Sequence, residues 1–310
     1  MTNLQNPIFT DNEKARLHLE GIRWPNGAYC AHCGEKENVH RMNGDSHQSG
    51  MLYCRVCRKK FTVTVGTIFE RSHVPLTKWL LAYHLMCASK KGMSAHQLHR
   101  MLGVTYKTAW FMAHRIRETM KPGDPSPLGG NGKTVEADET FVGGKEKNKH
   151  ASKKLRAGRG AVGKEAVFSL VERGGKVRST HVPAVNSTTL GTVLHEQLAK
   201  DSRLMTDEAT PYAPLGKNFA EHHSVNHGIG EYVRGDAHTN TIEGYFSVFK
   251  RGIGGVYHHV SQQHLKRYLA EFDFRYNERI ALGVDDATRT ERALKGAEGR
   301  RLTYNQPLAA

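Results

Sequence analysis

The sequence predicts a multidomain α+β chain, and three observations predict it. Two Cys-x-x-Cys pairs lie close together near the start. Helical periodicity interrupted by a short turn follows them, and beyond a Pro/Gly-rich joint the pattern changes to strands mixed with helices. The expected boundaries are a helical lead-in over 1–24, a cysteine module over 25–70, a helix-turn-helix region over 71–122, a linker over 123–133, a catalytic-type domain over 134–300 and a tail over 301–310.

The lead-in ends at Trp24-Pro25-Asn26-Gly27, a helix breaker. Leu76 to Lys90 reads as a helix, with Trp79, Leu80, Tyr83, Leu85 and Met86 apolar and Cys87 as a buried thiol. Over 94–118 the pattern reads helix, turn, helix. Ser94 caps the first helix, with Gln97 in capping-box position, and Gly103-Val104 turns the chain. Thr105 caps the second helix, where Ala109, Met112 and Ile116 recur at helical spacing. KPGDPSPLGGNGK, from Lys121, is the joint. Thr134–Val142, Ala166–Val171, Val177–Val182 and Arg203–Thr206 suit strands. Leu190, Val193, Leu194 and Leu198 mark one helix, and Leu265, Leu269, Phe272 and Tyr276 a long last one.

Forty-five Lys and Arg against 30 Asp and Glu leave a net charge of +15. Such an excess favours polyanions through counterion release, which points to nucleic acid. No stretch approaches the roughly 20 apolar residues of a membrane span, and Met1 to Glu20 lacks a secretory pattern. The expectation is a cytoplasmic protein with no membrane partner.

Cys30-Ala31-His32-Cys33 and Cys54-Arg55-Val56-Cys57 are separated by 20 residues. Each pair offers two sulfurs from one tight turn, and the spacer accommodates a strand out and a strand back. Four thiolates suit tetrahedral Zn2+, so a structural zinc ribbon is expected; two disulfides are disfavoured in a reducing compartment. Leu52-Tyr53 and Phe61-Thr62-Val63-Thr64 fit the ribbon strands, and His32 is a lesser alternative ligand.

Three acids stand at the ends of candidate elements. Asp138 lies within the strand Thr134–Thr140, Asp207 closes Met205-Thr206, and Glu243 sits just inside a helix after Asn240. Thirty-five residues separate the last two. Phosphodiester cleavage needs an activated water or hydroxyl and a stabilised leaving oxygen, and two Mg2+ ions about 4 Å apart serve both ends. Mg2+ prefers carboxylate oxygen, so acids from two strand ends and one helix suit it. On that helix Ile242, Tyr245, Phe246 and Phe249 form an apolar face, and Lys250, seven residues after Glu243, shares its edge, poised for a DNA phosphate.

Several longer motifs accompany these acids: VEADETFVGGK from Val135, LMTDEATPY from Leu204, VNHGIGEYV from Val225, and HTNTIEGYFSVFKRGIGGVYHHVSQQHLKRYLAEFDFRYN from His238. With the cysteine pairs they make the chain resemble the bacterial insertion-sequence DDE transposases with an N-terminal zinc ribbon, the ISXO-like group. The resemblance implies an RNase H-like α/β catalytic domain with a mixed central sheet. It implies Asp138, Asp207 and Glu243 as catalytic acids holding Mg2+ (or Mn2+), followed by the basic Lys250. Asn240 is the alternative third residue, because some members of the group carry Asn there; Glu243 is preferred because a carboxylate neutralises cation charge. Asp236 and Glu208 are nearby decoys. The implied reaction is water-driven cutting at the element ends, then attack of the freed 3′ hydroxyl on target DNA, with no Ser or Tyr nucleophile.

The expected partners are double-stranded DNA, both transposon ends and target, and further copies of the chain in a synaptic complex on nucleoid DNA. Lys107, His114, Arg115 and Arg117 lie on or near the second helix of the helix-turn-helix, with Lys107, Arg115 and Arg117 expected to meet DNA. Lys250 and Arg251 are expected to do so beside the acids. Lys145 to Lys164 holds eight basic residues and one acid and reads as a phosphate-binding or solvated loop. Of the 19 histidines, those at 222, 223, 227, 238, 258 and 259 cluster in the last third, and any one of them could assist near the acids. Two rival readings share much of this pattern: a non-catalytic DNA-binding regulator, and a nuclease that cuts without strand transfer.

Overall fold

The computed structural model describes residues 4–44, 46–123, 126–144, 148–154 and 161–303. Residues 145–147 and 155–160 of the basic loop, and 304–310 of the expected tail, lie outside them. The chain divides into two units: 1–121 with 283–310, and 122–282. The C-terminal domain expected to run to 300 therefore ends near 282, and the remainder joins the N-terminal unit. Among the described residues no helix is long and apolar enough to cross a membrane.

In the first unit α1 (Asn12–Arg23) starts on Asp11, whose carboxylate accepts the Glu13 and Lys14 N–H groups. The cysteine module is a three-stranded antiparallel sheet, β1 (Val39–Arg41), β2 (Leu52–Cys54) and β3 (Lys60–Phe61). The expected strand through Thr64 stops at Phe61, where residues 63–66 turn. Three helices follow: α2 (Leu76–Ala88), α3 (Ala95–Leu102) and α4 (Tyr106–Thr119). Cys87 is buried in α2. Ser94 accepts the Gln97 N–H, Gly103 closes α3 at φ +59°, and Thr105 accepts the Thr108 N–H. That positive φ is one glycine adopts without strain. A last helix, α9 (Asp286–Lys295), packs on α1, α2 and α4. Arg289 in it donates to the Cys87 carbonyl at 3.0 Å.

The second unit is built on a five-stranded mixed sheet. Its strands are β4 (Thr134–Val142), β5 (Glu165–Glu172), β6 (Val177–Val182), β7 (Arg203–Thr206) and β8 (Glu221–Ser224), in the order β6-β5-β4-β7-β8. The β4–β5–β6 run is antiparallel, and β7 and β8 add on parallel to β4. β5 sits second from one edge and is covered on both faces, which is why EAVFSLVE carries an uninterrupted apolar run. On one face α5 (Ser187–Gln197) and α6 (Tyr212–Leu215) bury Leu190, Leu194 and Tyr212 against Val135, Ala137 and Phe168. On the other, α7 (Asn240–Gly252) and α8 (Gln262–Asn277) bury Ile242, Phe246, Phe249, Leu265 and Phe272 against Val142, Val167 and Val171. A two-stranded hairpin, β9 (Val233–Arg234) and β10 (Ala237–His238), leads into α7. Part of the expected linker belongs to this unit: Leu128 exchanges backbone bonds with the Gln197 carbonyl and the Ala199 N–H.

Candidate active site and zinc site

The strand register brings two of the acids together. β4 and β7 are parallel, with Glu136 opposite Met205. Two residues beyond that last pair along the two chains stand Asp138 and Asp207, and the Asp207 carboxylate is near enough to raise that of Asp138. Alternation along β4 sends Glu136, Asp138 and Val142 toward the α7 face and Val135, Ala137 and Glu139 toward the α5 face.

Glu136 anchors the third element. Its carboxylate is fully buried and takes the place of a side-chain cap at the start of α7. Oε2 accepts the Ile242 N–H at 2.9 Å, and Oε1 accepts the Thr241 hydroxyl at 2.8 Å. Arg173, in the β5–β6 turn, donates to Glu136 Oε1 at 2.7 Å and to the Asp236 and His238 carbonyls. His238 Nδ1 lies 3.3 Å from the same oxygen. An anion at a helix N-terminus is favoured by the dipole, and here it also neutralises a guanidinium. Glu243, on the first turn of α7, is thereby carried to the Asp138 side of β4.

The electrostatics record the convergence. Burial pushes the Asp138 carboxyl up to about 7; the Glu139 N–H opposes this, while the Asp207, Glu139 and Glu243 carboxylates add to it. Glu139 is likewise pushed to about 7, first by burial, against the neighbouring Tyr212 hydroxyl, with Asp207 contributing. Asp138, Asp207 and Glu243, crowded in this way without a basic side chain bonded to Asp138 or Asp207 among the described hydrogen bonds and ion pairs, suit hard cations. They are not a tight cage: among the described residues only the four cysteines bring their ligand atoms all within 4.8 Å of one another. Asp207 Oδ1 accepts the Ala209 N–H at 3.0 Å, and Glu243 Oε1 accepts the Thr239 hydroxyl at 3.4 Å.

Other sequence candidates fall as follows. Asn240 is the first residue of α7 and is exposed. Glu208 is engaged by the His227 and Gly228 N–H groups, and Asp236 by Arg203 at 2.8 Å. Of the histidines, His227 comes nearest Glu243, with Nδ1 at 3.9 Å and a buried Nε2 that has no hydrogen-bond partner. Lys250 and Arg251 are exposed at the far end of α7, where Arg251 donates to Ser247. On α4, Lys107 is exposed. Arg115 donates to the Ile68 carbonyl at 2.6 Å and the Leu302 carbonyl at 3.2 Å. Arg117 is only 2% exposed, so it points into the helical core and not toward a groove. His114 is buried as well. Glu136, Glu139 and Tyr212 were not singled out in the sequence, although Glu136 and Glu139 stand in the same VEADET segment as Asp138.

In the N-terminal unit the four sulfurs of Cys30, Cys33, Cys54 and Cys57 gather within 4.8 Å of one another. Cys30 and Cys57 are 3.5 Å apart, and Cys33 and Cys54 3.7 Å. Zinc–sulfur bonds of about 2.3 Å at tetrahedral angles put sulfurs about 3.8 Å apart, so these thiols fit a Zn2+ ion. All four are free thiols, and the His32 ring contacts the Lys60 carbonyl at 3.4 Å.

Residues 127–277 match the family model of the ISXO2-like transposase domain, and residues 10–60 that of the transposase zinc-ribbon domain. A protein of Halobacterium salinarum, described as an uncharacterized protein in transposable element ISH50, is 31% identical over 277 residues, covering 86% of this chain and 91% of its own length. An uncharacterized transposase-like protein of Haemophilus influenzae is 28% identical over 102 residues, 33% of this chain and 81% of that protein. Among solved structures, the simian T-cell lymphotropic virus intasome in complex with PP2A regulatory subunit B56 gamma aligns with 57% of this chain and 63% of its own. The identity is 14% and the TM-score 0.29, a likeness too slight to argue from.

Proposed function

Since the chain belongs to the ISXO2-like transposase family, we propose that it is a Mg2+-dependent transposase that binds the ends of an insertion sequence, cuts there and joins the freed 3′ ends to target DNA. The observation that carries this reading is the parallel β4–β7 pairing at Glu136 and Met205, two residues short of Asp138 and Asp207, together with a helix tied to β4 whose Glu243, like Asp207, is near enough to raise the Asp138 carboxyl. The mixed sheet beneath them supports an RNase H-like catalytic domain.

Asp138, Asp207 and Glu243 would hold the divalent cations, Mg2+ or Mn2+, which when bound would supply Lewis-acid activation of the attacking oxygen and charge stabilisation of the leaving one. The chain supplies the rest. Burial of Asp138 lowers the local dielectric and strengthens its grip on a cation once its proton is lost. Glu136 and Arg173 fix the height of α7, and so the position of Glu243. Lys250, two turns along the same helix edge, meets a DNA phosphate. The zinc ribbon, its four thiolates on Zn2+, and the α3–α4 pair recognise the terminal repeats, and the net charge of +15 adds sequence-independent affinity for phosphate. Two ends brought together imply at least two copies of the chain. The work is done on nucleoid DNA in the cytoplasm.

The test is Mg2+-dependent nicking of DNA carrying the element's own ends, followed by strand transfer to a plasmid. Both activities are expected in the wild type and neither in Asp207→Ala. A wild-type protein that binds the ends but never cuts them would make it a regulator. One that cuts but yields no joined product would make it a nuclease.

A further inference from the structure

β4 and α7 run on past the acids to a second feature. Between the end of β4, at Phe141 to Gly144, and the end of α7 lies an open cleft of about 220 Å3. There α7 passes into a π-helical turn, Ile253–Tyr257. Lys250 and His259 give the cleft its polar lining, His258 forms a wall, and none of the described residues that line it is acidic. The His258 ring is tied to the Gly254 carbonyl through Nδ1 at 3.1 Å.

Among the described residues, a Cβ on Gly254, Gly255 or Gly144 would meet nothing within 4 Å, and none of the three has a positive φ. Neither packing nor backbone geometry demands a glycine at any of them, and two sit in a helical turn, where glycine is unfavourable. His258, by contrast, has φ +60° and ψ −47°, with the His259 N–H bonded to the Tyr257 carbonyl, a tight γ-turn that is strained and most of all for a residue with a side chain. Glycine is absent where the backbone asks for it and present where only empty space does. Such a pattern fits a surface shaped for something outside the chain, and π-helical turns and strained residues concentrate at such places.

Position narrows the occupant. Asp138 to Phe141 is three strand residues, about 10 Å. Glu243 to Lys250 is seven helical residues, about 10.5 Å. Two rigid elements thus lead from the acids to the cleft over one distance. Phosphates of one strand advance about 3.4 Å along a duplex axis and lie farther apart along the strand itself, so this distance is a few nucleotides at most.

We propose that the cleft is a subsite for the sugar–phosphate backbone of one DNA strand, within a few nucleotides of the bond held at the acids. The inference rests on the transposase reading. Lys250 and His259 take the phosphate, and the bare backbone at Gly144 and Gly254 admits the sugar.

The test measures fluorescence anisotropy of a labelled oligothymidylate, roughly 20 nucleotides long, with the full-length zinc-loaded protein and no added magnesium. Gly254→Leu fills the cleft, and His259→Ala removes a polar group from an exposed position. Each is expected to weaken binding by about threefold to tenfold. His258→Gly is expected to raise the melting temperature through relief of its φ while binding weakens, a split that a merely structural role would not produce. If the variants fold and bind as the wild type does, while the wild type still nicks end-containing DNA, the subsite alone is overturned. If the wild type binds no DNA, the functional reading falls and the subsite falls with it.

Discussion

Oε2 of Glu136 accepts the backbone N–H of Ile242 at 2.9 Å, across 106 residues of chain. This bond makes the first turn of α7 an extension of β4, so the two carboxylates that flank it, Asp138 and Glu243, are held relative to each other. Glu136→Ala leaves the Arg173 guanidinium and the first N–H of α7 without their anion. Breaking a buried pair from one side costs about 3–5 kcal/mol, and a large fall in melting temperature is expected. Glu136→Gln retains the shape and part of the bonding. The expected outcome is a smaller fall, with the Mg2+ concentration for half-maximal nicking clearly raised. An unchanged metal titration in a folded Glu136→Gln protein would remove Glu136 from the positioning role.

Glu243 and Asn240 compete for the third position, and α7 separates them. Asn240 is its exposed first residue, whereas the Glu243 carboxylate is near enough to help raise Asp138. A missing cation ligand forfeits several kcal/mol of transition-state stabilisation. Glu243→Ala is therefore expected to slow nicking by about 10³-fold and Asn240→Ala by less than about threefold. Single-turnover rates at saturating Mg2+ measure both; the reverse ranking would move the third site to Asn240.

Asp138 and Glu139 carry their protons up to about pH 7, from ordinary values near 4. A carboxyl with a raised pKa takes up a proton on folding. The stability it contributes is complete below about pH 4 and is lost as pH rises through about 7. The metal-free protein is thus expected to be more stable at pH 5 than at pH 8 by a few kcal/mol, the effect being reduced by the partial exposure of both groups. Mg2+ favours the ionised acids and should flatten the profile. Urea midpoints at the two pH values, with and without Mg2+, test this; a metal-free midpoint that rises with pH contradicts it.

The parts of this arrangement that were legible in the sequence are those fixed by local spacing. Two Cys-x-x-Cys turns dictate a four-sulfur site almost alone, and Ser94, Gly103 and Thr105 mark the helix ends they occupy. Asp138 and Asp207 stood out because each sits at a strand, but their adjacency depends on β4 and β7 pairing parallel across some 60 intervening residues, which no local pattern encodes. Glu136 looked like an ordinary strand carboxylate for the same reason; its partners Arg173, Thr241 and Ile242 are far away in the chain. The catalytic-type domain was expected to reach 300, yet Arg289 of α9, buried, donates to the Cys87 carbonyl of α2, a contact between residues 202 apart that no local pattern encodes. Arg117 was expected to meet DNA from its charge, whereas its helical phase, one residue after Ile116 and four after Ala113, already placed it on the buried face.

Between Pro25 and Phe61 the only buried apolar side chains among the described residues, besides the cysteines, are Leu52 and Phe61, with Trp24 just before them, so this stretch is expected to depend on the metal for its fold. Chelation of Zn2+, or Cys54→Ser, is expected to unfold residues 25–61 and to release one zinc per chain, read by a colorimetric zinc assay alongside proteolysis. The second unit should keep its melting transition. A module that stays protease-resistant after complete zinc loss would mean that the thiols are not a structural site.

The basic residues of α4 provide the sharpest contrast between charge and position. Lys107 is exposed near the start of the helix, whereas Arg117 is buried and Arg115 is bound to the carbonyls of Ile68 and Leu302. Lys107→Ala is expected to leave stability within about 0.5 kcal/mol, to weaken end binding and to reduce the log–log salt slope by about 0.9, as loss of one phosphate contact requires. Arg117→Ala is expected to do the opposite. It empties a packed position and costs about 2–4 kcal/mol, while the folded fraction binds with an unchanged salt slope. Parallel thermal melts and salt-dependent binding isotherms separate the two effects. A lower salt slope for Arg117→Ala, in protein that melts like the wild type, would show that the guanidinium reaches DNA after all and that α4 turns on binding.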